Sequence, residues 1–325
     1  MGYGDYIHWT AVVREISKYI NDPENNDEKI NRIKLLINKN KEFGITKYVQ
    51  KNKKDLFKFY LTLTWKQNNN KHNLNQNPQA NHIFKNNDYI TLNKKYPNII
   101  FLKIISNGYW DGIKYISKIP TFVKLFDNIH IVKFYLEKIN LPNNYLNNLK
   151  TNGYIKFTKS EIKKVSQFLP KEEFILINYQ SKVKLRSYDK NKMQNIVNYL
   201  KDKIKIIQII PDKFQNVNFE SLENVTVLKN KFTFRETICF AKNAKYAILS
   251  HGGLSLGIAC FSVPTICLYS NLFNPKATTF HSEIAYLYSN HNYFCYDNNC
   301  SKCLELKNKD NENNIIEIIK NNFNL

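Results

Sequence analysis

The chain has 325 residues, with 48 Lys and Arg against 27 Asp and Glu for a formal net charge of +21, and 43% of its residues are hydrophobic. So much apolar material excludes a disordered chain, and 9 glycines with 9 prolines exclude collagen-like and linker-like sequences. The length suits two domains of ~150 residues each.

The lysines are spread along the chain and interleaved with Asn and Ile, as around Asn25-Asn26 and Asn68-Asn69-Asn70. The charge therefore reads chiefly as solvated surface, and secondarily as attraction to an anionic lipid or substrate. A nucleic-acid partner would need a localised basic patch, and none stands out. Met1 to Asp5 has no apolar core of signal-peptide length, and Tyr6 stands where a myristoylation motif requires Ser or Thr. The longest apolar stretch, Tyr246 to Tyr269, is interrupted by His251, Gly252-Gly253 and Pro264, so it reads as strand, loop, helix and strand rather than a membrane span. The expectation is a soluble or peripheral protein.

Apolar residues at 9, 12, 13, 16, 19 and 20 predict a helix over 6–20, entered directly from a turn at Gly2-Tyr3-Gly4-Asp5. Residues 27–41 read as a second amphipathic helix and 66–88 as a polar, Asn-rich loop. A strand is expected at 97–105, before the Asn107-Gly108 turn. A helix around 122–139 is expected to stop ahead of Leu141-Pro142, where proline cannot continue it. A connecting segment from Asn143 carries a short helix at 159–168, and the domain boundary is placed near Pro170.

Beyond Pro170 the alternation is cleaner. Strands are expected at 174–178, 204–210, 225–228, 246–250 and 264–269, with helices at 189–202, 234–243 and 254–261. Thr233 and Glu236 have the spacing of a capping box at the start of the second of these helices. Such alternation specifies a parallel sheet covered by helices on both faces.

Three segments carry candidate chemistry. At the strand-to-helix junction Ser250-His251-Gly252-Gly253-Leu254-Ser255, paired glycines let a ligand approach the backbone, and a helix start favours phosphate; the plainer reading is a tight turn needing glycine. After strand 174–178, the run Tyr179 to Tyr188 offers hydroxyl, amide and three cationic side chains, Lys182, Lys184 and Arg186, where open parallel sheets bind ligands; a solvated basic loop is the alternative. Asp5 is either a helix N-cap or a general base. Six cysteines suit a reducing compartment, with Cys239, Cys260 and Cys267 in apolar runs. Cys295-x4-Cys300-x2-Cys303 with His291 has the composition of a metal site, but a single C-x2-C is a weak signal and no metal is assigned.

Four segments, taken in order, resemble the family 9 glycosyltransferases, which include the ADP-heptose:lipopolysaccharide heptosyltransferases. They are Met1 to Arg14, with its Gly-Asp pair; His130 to Pro142, similar to the family's "H-x-V-x-x-Y-L-x-x-L-G-x-P" helix; Phe174 to Tyr188; and Phe232 to Pro275. The resemblance implies an α/β protein of GT-B fold, two Rossmann-like domains facing each other across a cleft. Residues 1–170 would form the acceptor-side domain and 171–325 the nucleotide-sugar-binding domain. It implies an inverting, metal-independent transfer of a heptose or other hexose-like sugar from a nucleotide-sugar to a surface-glycan or lipid-linked acceptor. Asp5 would be the catalytic base, with Gly4 and His8 on the acceptor side. Ser181, Lys182, Arg186, Phe232, His251, Gly252, Gly253, Leu254 and Ser255 would line the donor. No cofactor beyond the substrate is implied, and the expected place is the cytoplasm, with peripheral contact at the inner face of a membrane.

Two departures qualify this. The family's Asp-Ser/Thr-Gly-x-x-His becomes His251-Gly252-Gly253-Leu254-Ser255-Leu256, which opens the identity of the donor. The family's Gly-Asp loop follows a first strand, and here Met1 stands where that strand would end, so the expectation is an upstream start or a sheet lacking that strand. The alternatives are a GT-B enzyme using a UDP- or GDP-sugar, a non-catalytic binding protein of the same fold, and, from net charge alone, an RNA-binding protein.

Overall fold

The fold is taken from a computed structural model, which describes residues 3–23, 25–37, 43–53, 55–67, 70–73, 78–106, 108–110, 115–117, 131–147, 149–181, 187–211, 219–270, 283–288 and 312–325. Packing divides the chain into two compact units, Met1–Lys156 and Phe157–Leu325. The division falls ahead of Pro170, so the helix expected at 159–168 belongs to the second unit.

The first unit opens with α1 (Tyr3–Asn21) and α2 (Asn26–Leu36). The apolar period of α1 suggests one buried face, yet from Tyr6 to Ile20 only Lys18 is exposed. A helix enclosed all round must satisfy its polar side chains internally. Thr10 donates to the Ile7 carbonyl at 2.6 Å and accepts from the Tyr154 N–H at 2.7 Å. Arg14 pairs with Glu15 at 2.7 Å and donates to the Asn152 carbonyl at 2.8 Å and to that of Lys150. The segment leading out of the unit is thus strapped to α1. Further along, Asn87 holds the Tyr154 carbonyl at 3.2 Å and Asp88 pairs with Lys156 at 2.8 Å.

The remaining elements of this unit are β1 (Phe43–Gln50), β2 (Lys58–Gln67), β3 (Asn70–Asn73), α3 (Pro78–Phe84), β4 (Asn98–Ser106), the hairpin β5 (Gly108–Trp110) and β6 (Tyr115–Ser117), α4 (Ile131–Lys138) and α5 (Asn143–Leu146). Four strands form a sheet in the order β1-β4-β2-β3, in which β2 and β4 are parallel and the two outer pairings antiparallel. This corrects the expectation of a parallel, Rossmann-like first domain for the described part. A helix-bearing crossover, through α3, joins β2 to its parallel neighbour β4, whereas β3, separated from β2 by two residues in sequence, pairs with it antiparallel. Likewise 66–88 is not one loop, because β3 and α3 lie within it. The strands at 43–50 and 58–67 are not anticipated from the sequence at all.

The end of α4 also has a different cause from the one expected. Asn140 adopts a left-handed conformation with φ 60°, its N–H reaching the Glu137 carbonyl at 2.9 Å, while the Leu141 N–H reaches that of Leu136 at 3.1 Å. This is a Schellman closure, and it stops the helix before Pro142 is reached.

In the second unit, α6 (Lys159–Ser166) precedes β7 (Phe174–Asn178), α7 (Lys190–Leu200), β8 (Lys205–Ile210), β9 (Thr226–Lys229), α8 (Phe234–Ala241), β10 (Tyr246–Ser250), α9 (Gly253–Ala259), β11 (Thr265–Ser270), β12 (Glu283–Tyr288) and α10 (Glu312–Asn322). The expected capping box at Thr233 and Glu236 is present, and Thr158 with Glu161 forms another at the start of α6. The two boxes are cross-linked: Arg235, fully buried, holds Glu161 through bonds of 2.7 and 3.0 Å, and Lys164 pairs with Glu236 at 2.8 Å. Burial would push the Glu161 carboxyl up, but Arg235 and the Thr158 N–H outweigh it and hold it at about 2.

All six strands of this sheet are parallel, in the order β12-β11-β10-β7-β8-β9. One face packs Ile175, Ile177, Ile248 and Leu268 against Met193 and Ile196 of α7 and Ile315 and Ile319 of α10. The other packs Leu176, Ile207, Ala247 and Leu249 against Cys239 and Phe240 of α8 and Ile258 of α9. Burial on both faces explains why these strands read as continuous apolar runs rather than alternating ones. Among the described residues no helix is long and apolar enough to cross a membrane.

Candidate functional site

Counted within the second unit, its strands run 3-2-1-4-5-6, the doubly wound order. Successive connections leave the sheet in opposite directions from β7 and β10, which lie side by side as strands 1 and 4. A crevice at the carboxyl ends of that pair is where open parallel sheets take ligands, because neighbouring loops diverge there and leave room. Both candidate loops of this unit start at that position, one after Asn178 and the other after Ser250.

A buried bond ties the two loops together: the Ser250 hydroxyl donates to the Tyr179 carbonyl at 2.6 Å. The same carbonyl accepts from the Tyr188 N–H at 2.8 Å, and the Ser181 N–H donates to the Ser187 hydroxyl at 2.9 Å, so the loop after β7 is pinched at its neck. Its far side is anchored by Gln180, whose side chain accepts from the Glu220 N–H at 2.7 Å. Ser181 stands at the neck; Lys182 and Arg186 lie outside the described residues, as do Lys184, His291, Cys295, Cys300 and Cys303. Ser250, Ser187 and Tyr188 lie in the segments picked out from the sequence but were given no role there. A serine closing an otherwise apolar strand, at Ser250, is the signal that could have found the first of them.

The second loop departs from expectation in two ways. Gly252 has φ 167°, extended backbone open to any residue, and a Cβ built on it meets nothing within 4 Å. Neither a strained turn nor a neighbour within 4 Å therefore calls for glycine at this position. Ser255, expected on the donor, turns its hydroxyl back: it accepts from the Gly252 N–H at 3.1 Å and donates to the Gly252 carbonyl at 3.0 Å, fully buried. Its side chain closes the first turn of α9. Gly253 and Leu254 begin that turn, with Leu254 partly buried against the core.

His251 is buried at the end of β10, its N–H donating to the Leu268 carbonyl at 2.8 Å. Phe232 packs edge-on to Phe168 at 5.3 Å and tilted on Phe240 at 5.4 Å, in the aromatic border of the core. In the first unit, Gly4 and Asp5 stand inside the first turn of α1 rather than in a loop before it, and only their backbone is described. His8 lies on the same helix, where burial pushes its pKa down to about 4 and keeps the imidazole neutral at physiological pH. Among the described residues no group of three or more His, Cys, Asp or Glu could hold a metal ion.

No family model matches the chain, and no curated protein matches it. Solved structures do. A family 9 glycosyl transferase from Veillonella parvula aligns with 59% of this chain and 60% of its own at 12% identity and a TM-score of 0.43. An E. coli heptosyltransferase solved with ADP aligns over 55% and 56% at 15% identity and a TM-score of 0.37. An iron-containing dodecameric glycosyltransferase from enterotoxigenic E. coli aligns over 60% and 54% at 12% identity and a TM-score of 0.41. The chain thus spans between 54% and 60% of the length of these structures.

Proposed function

We propose that this protein is an inverting, metal-independent glycosyltransferase of GT-B organisation that takes a sugar from a nucleotide-sugar donor. The observation that carries the reading is the pair of loops at the carboxyl ends of β7 and β10, joined by the Ser250 to Tyr179 bond, in a sheet of doubly wound order. A diphosphate suits such a position, because loop N–H groups and the cations Lys182 and Arg186 offset its charge. The sequence resemblance supplies the reaction class, and Gly252, open on the side where a Cβ would stand, supports close approach of a ligand.

In this proposal the acceptor hydroxyl attacks the anomeric carbon opposite the leaving nucleoside diphosphate, and the new glycosidic bond forms as the sugar-phosphate bond breaks. Asp5 takes the hydroxyl proton. Charge growing on the departing phosphate is met by Lys182, Arg186 and backbone donors of the 250–254 loop. The acceptor is a surface glycan or lipid-linked glycan met at the cytoplasmic face of a membrane, a setting that the lysine excess favours electrostatically.

Thermal-shift titration with ADP, UDP, GDP, CMP and their sugar conjugates tests the donor site on wild type and Arg186→Ala. A nucleotide at a hundred times its dissociation constant stabilises by about 2.7 kcal/mol, and the variant should lose that rise. Transfer should then persist in excess chelator and fall with Asp5→Ala. A panel in which no nucleotide raises the midpoint overturns the assignment.

A further inference from the structure

One face of the sheet in the first unit carries a row of side chains that the candidate site does not use. Lys47 of β1, Phe101 of β4 and Tyr60 of β2 stand in register across three adjacent strands. The Phe101 and Tyr60 rings lie 5.7 Å apart between centres. The Lys47 ammonium sits 4.7 Å from the centre of the Phe101 ring, and that of Lys94, from the segment between α3 and β4, sits 5.4 Å from the centre of the Tyr60 ring. Side chains alternate along a strand, so Lys58 and Lys103, each two residues from a ring of this row, project on the same face. Lys58 in turn lies 5.3 Å from the centre of the Tyr96 ring. Phe59, Leu61, Ile100 and Leu102 alternate with these residues and are buried on the opposite face.

Among the described residues, none of Lys47, Lys58, Lys94 and Lys103 forms an ion pair with a carboxylate. Asp88, whose carboxyl Lys58 helps to hold below its ordinary range, is paired with Lys156. An aromatic ring holds an ammonium in place without neutralising it, so the row presents fixed positive charge to an anionic partner. Exposed apolar side chains stand beside it. Val49, 37% exposed, follows Lys47 on the same face of β1, and Leu92, 50% exposed, precedes Lys94 by two residues and lines the same cavity as Tyr60. Lysines interleaved with exposed apolar groups suit a bilayer surface, where ammoniums meet lipid phosphates and the apolar groups enter the boundary between headgroups and acyl chains. Single-stranded nucleic acid suits the row less well, because bases stack on open rings, and Tyr60 is only 9% exposed with a lysine over its ring. We propose that this face of the sheet docks the protein on an anionic lipid surface. The inference rests on the membrane setting of the reading above and names the face that meets it; it uses neither the donor loops nor Asp5.

The test is flotation of the full chain with vesicles of phosphatidylcholine alone and of phosphatidylcholine mixed with phosphatidylglycerol. Wild type should float with the anionic vesicles only, and less of it as salt rises from about 0.1 M to about 1 M, where the Debye length shrinks from about 10 to about 3 Å. Lys47→Gln combined with Lys94→Gln should weaken binding about 25-fold, about fivefold for each charge withdrawn from the surface, while arginine at both positions should retain it. The same glutamine changes at Lys171 and Lys201, exposed lysines of the second unit, remove as much net charge and should leave binding within about twofold. Leu92→Ser should weaken it about fivefold. Should the paired variant not fold, either single change decides, at about fivefold. The inference is overturned by absence of binding to anionic vesicles, by equal losses from the two lysine pairs, or by tighter binding to a single-stranded RNA that Leu92→Ser leaves unchanged. Because the vesicles carry no nucleotide, a failed nucleotide panel with flotation intact removes the donor reading alone, and nucleotide binding without flotation removes this inference alone.

Discussion

Placing a methyl group on Gly257 tests how closely α9 is docked on α8. A Cβ built there stands 2.4 Å from Cδ1 and 2.7 Å from Cγ1 of Ile238, against the ~3.5–4.0 Å at which carbon atoms pack best. Ile238 is fully buried in α8 and cannot swing into solvent. Gly257→Ala gains about 1 kcal/mol of helix propensity, while overpacking of this kind costs about 1–3 kcal/mol, so a net loss of up to about 2 kcal/mol is expected. Ile238→Val removes the nearest carbon and alone costs about 0.5–1.5 kcal/mol. Because the two changes relieve each other, the double variant should be more stable than the sum of the single losses predicts, with a coupling of at least about 0.5 kcal/mol. Urea denaturation of the four proteins measures the cycle. A Gly257→Ala protein about 1 kcal/mol more stable than wild type, or strict additivity, would refute the close-packing argument.

The neighbouring glycine should behave in the opposite way. Gly252→Ala meets open space in an extended backbone, so stability should stay within about 0.5 kcal/mol while nucleotide affinity falls, read by denaturation and titration on the same samples. Glu161→Gln strips the buried Arg235 of its counter-charge and should cost about 3–5 kcal/mol. The native carboxyl sits at about 2, below its ordinary range, so its contribution is complete above about pH 4.5 and is lost as pH falls toward 2; the Gln variant should lack that component of acid sensitivity in its denaturation profile. At Asn140, φ 60° should make alanine cost about 1 kcal/mol and leave glycine neutral or better, as judged from thermal midpoints.

The second unit was largely legible in the sequence because its strands are short apolar runs, such as Phe174-Ile-Leu-Ile, separated by helices with recognisable caps at Asp189 and Thr233. The first unit was legible only in part: α1, α2 and β4 lie where their apolar patterns predicted them, while β1, β2 and β3 were not anticipated. β3 is Asn-Lys-His-Asn, with no apolar residue to betray a strand, and it exists because its backbone completes the ladder of β2. β1 alternates only weakly and carries Lys47 and Gln50, so its place beside β4 was decided by tertiary pairing. At the candidate site, the two loops were found from paired glycines and strand ends. The inward turn of Ser255 was missed in the sequence, which assigned it to the donor, although a hydroxyl three residues after Gly252 has the reach to close its own helix turn. The contacts of Ser250 with Tyr179 and of Cys267 with His251 were beyond reach, because each depends on the register between strands distant in sequence.

The enclosure of α1 has a consequence for how the protein comes off the ribosome. This helix is finished by residue 21, yet the element that packs Tyr135, tilted, against Trp9 at 4.4 Å between ring centres, α4, ends at residue 138. At a synthesis rate of about 5–20 residues per second, the nascent segment waits on the order of 10 s with Ile7, Trp9, Val12, Val13 and Ile16 facing water. During that interval it is a ready target for chaperones that hold apolar peptides, and a seed for misassociation where they are scarce. Yield from recombinant expression should accordingly depend on translation speed and holdase supply more than on the stability of the finished fold.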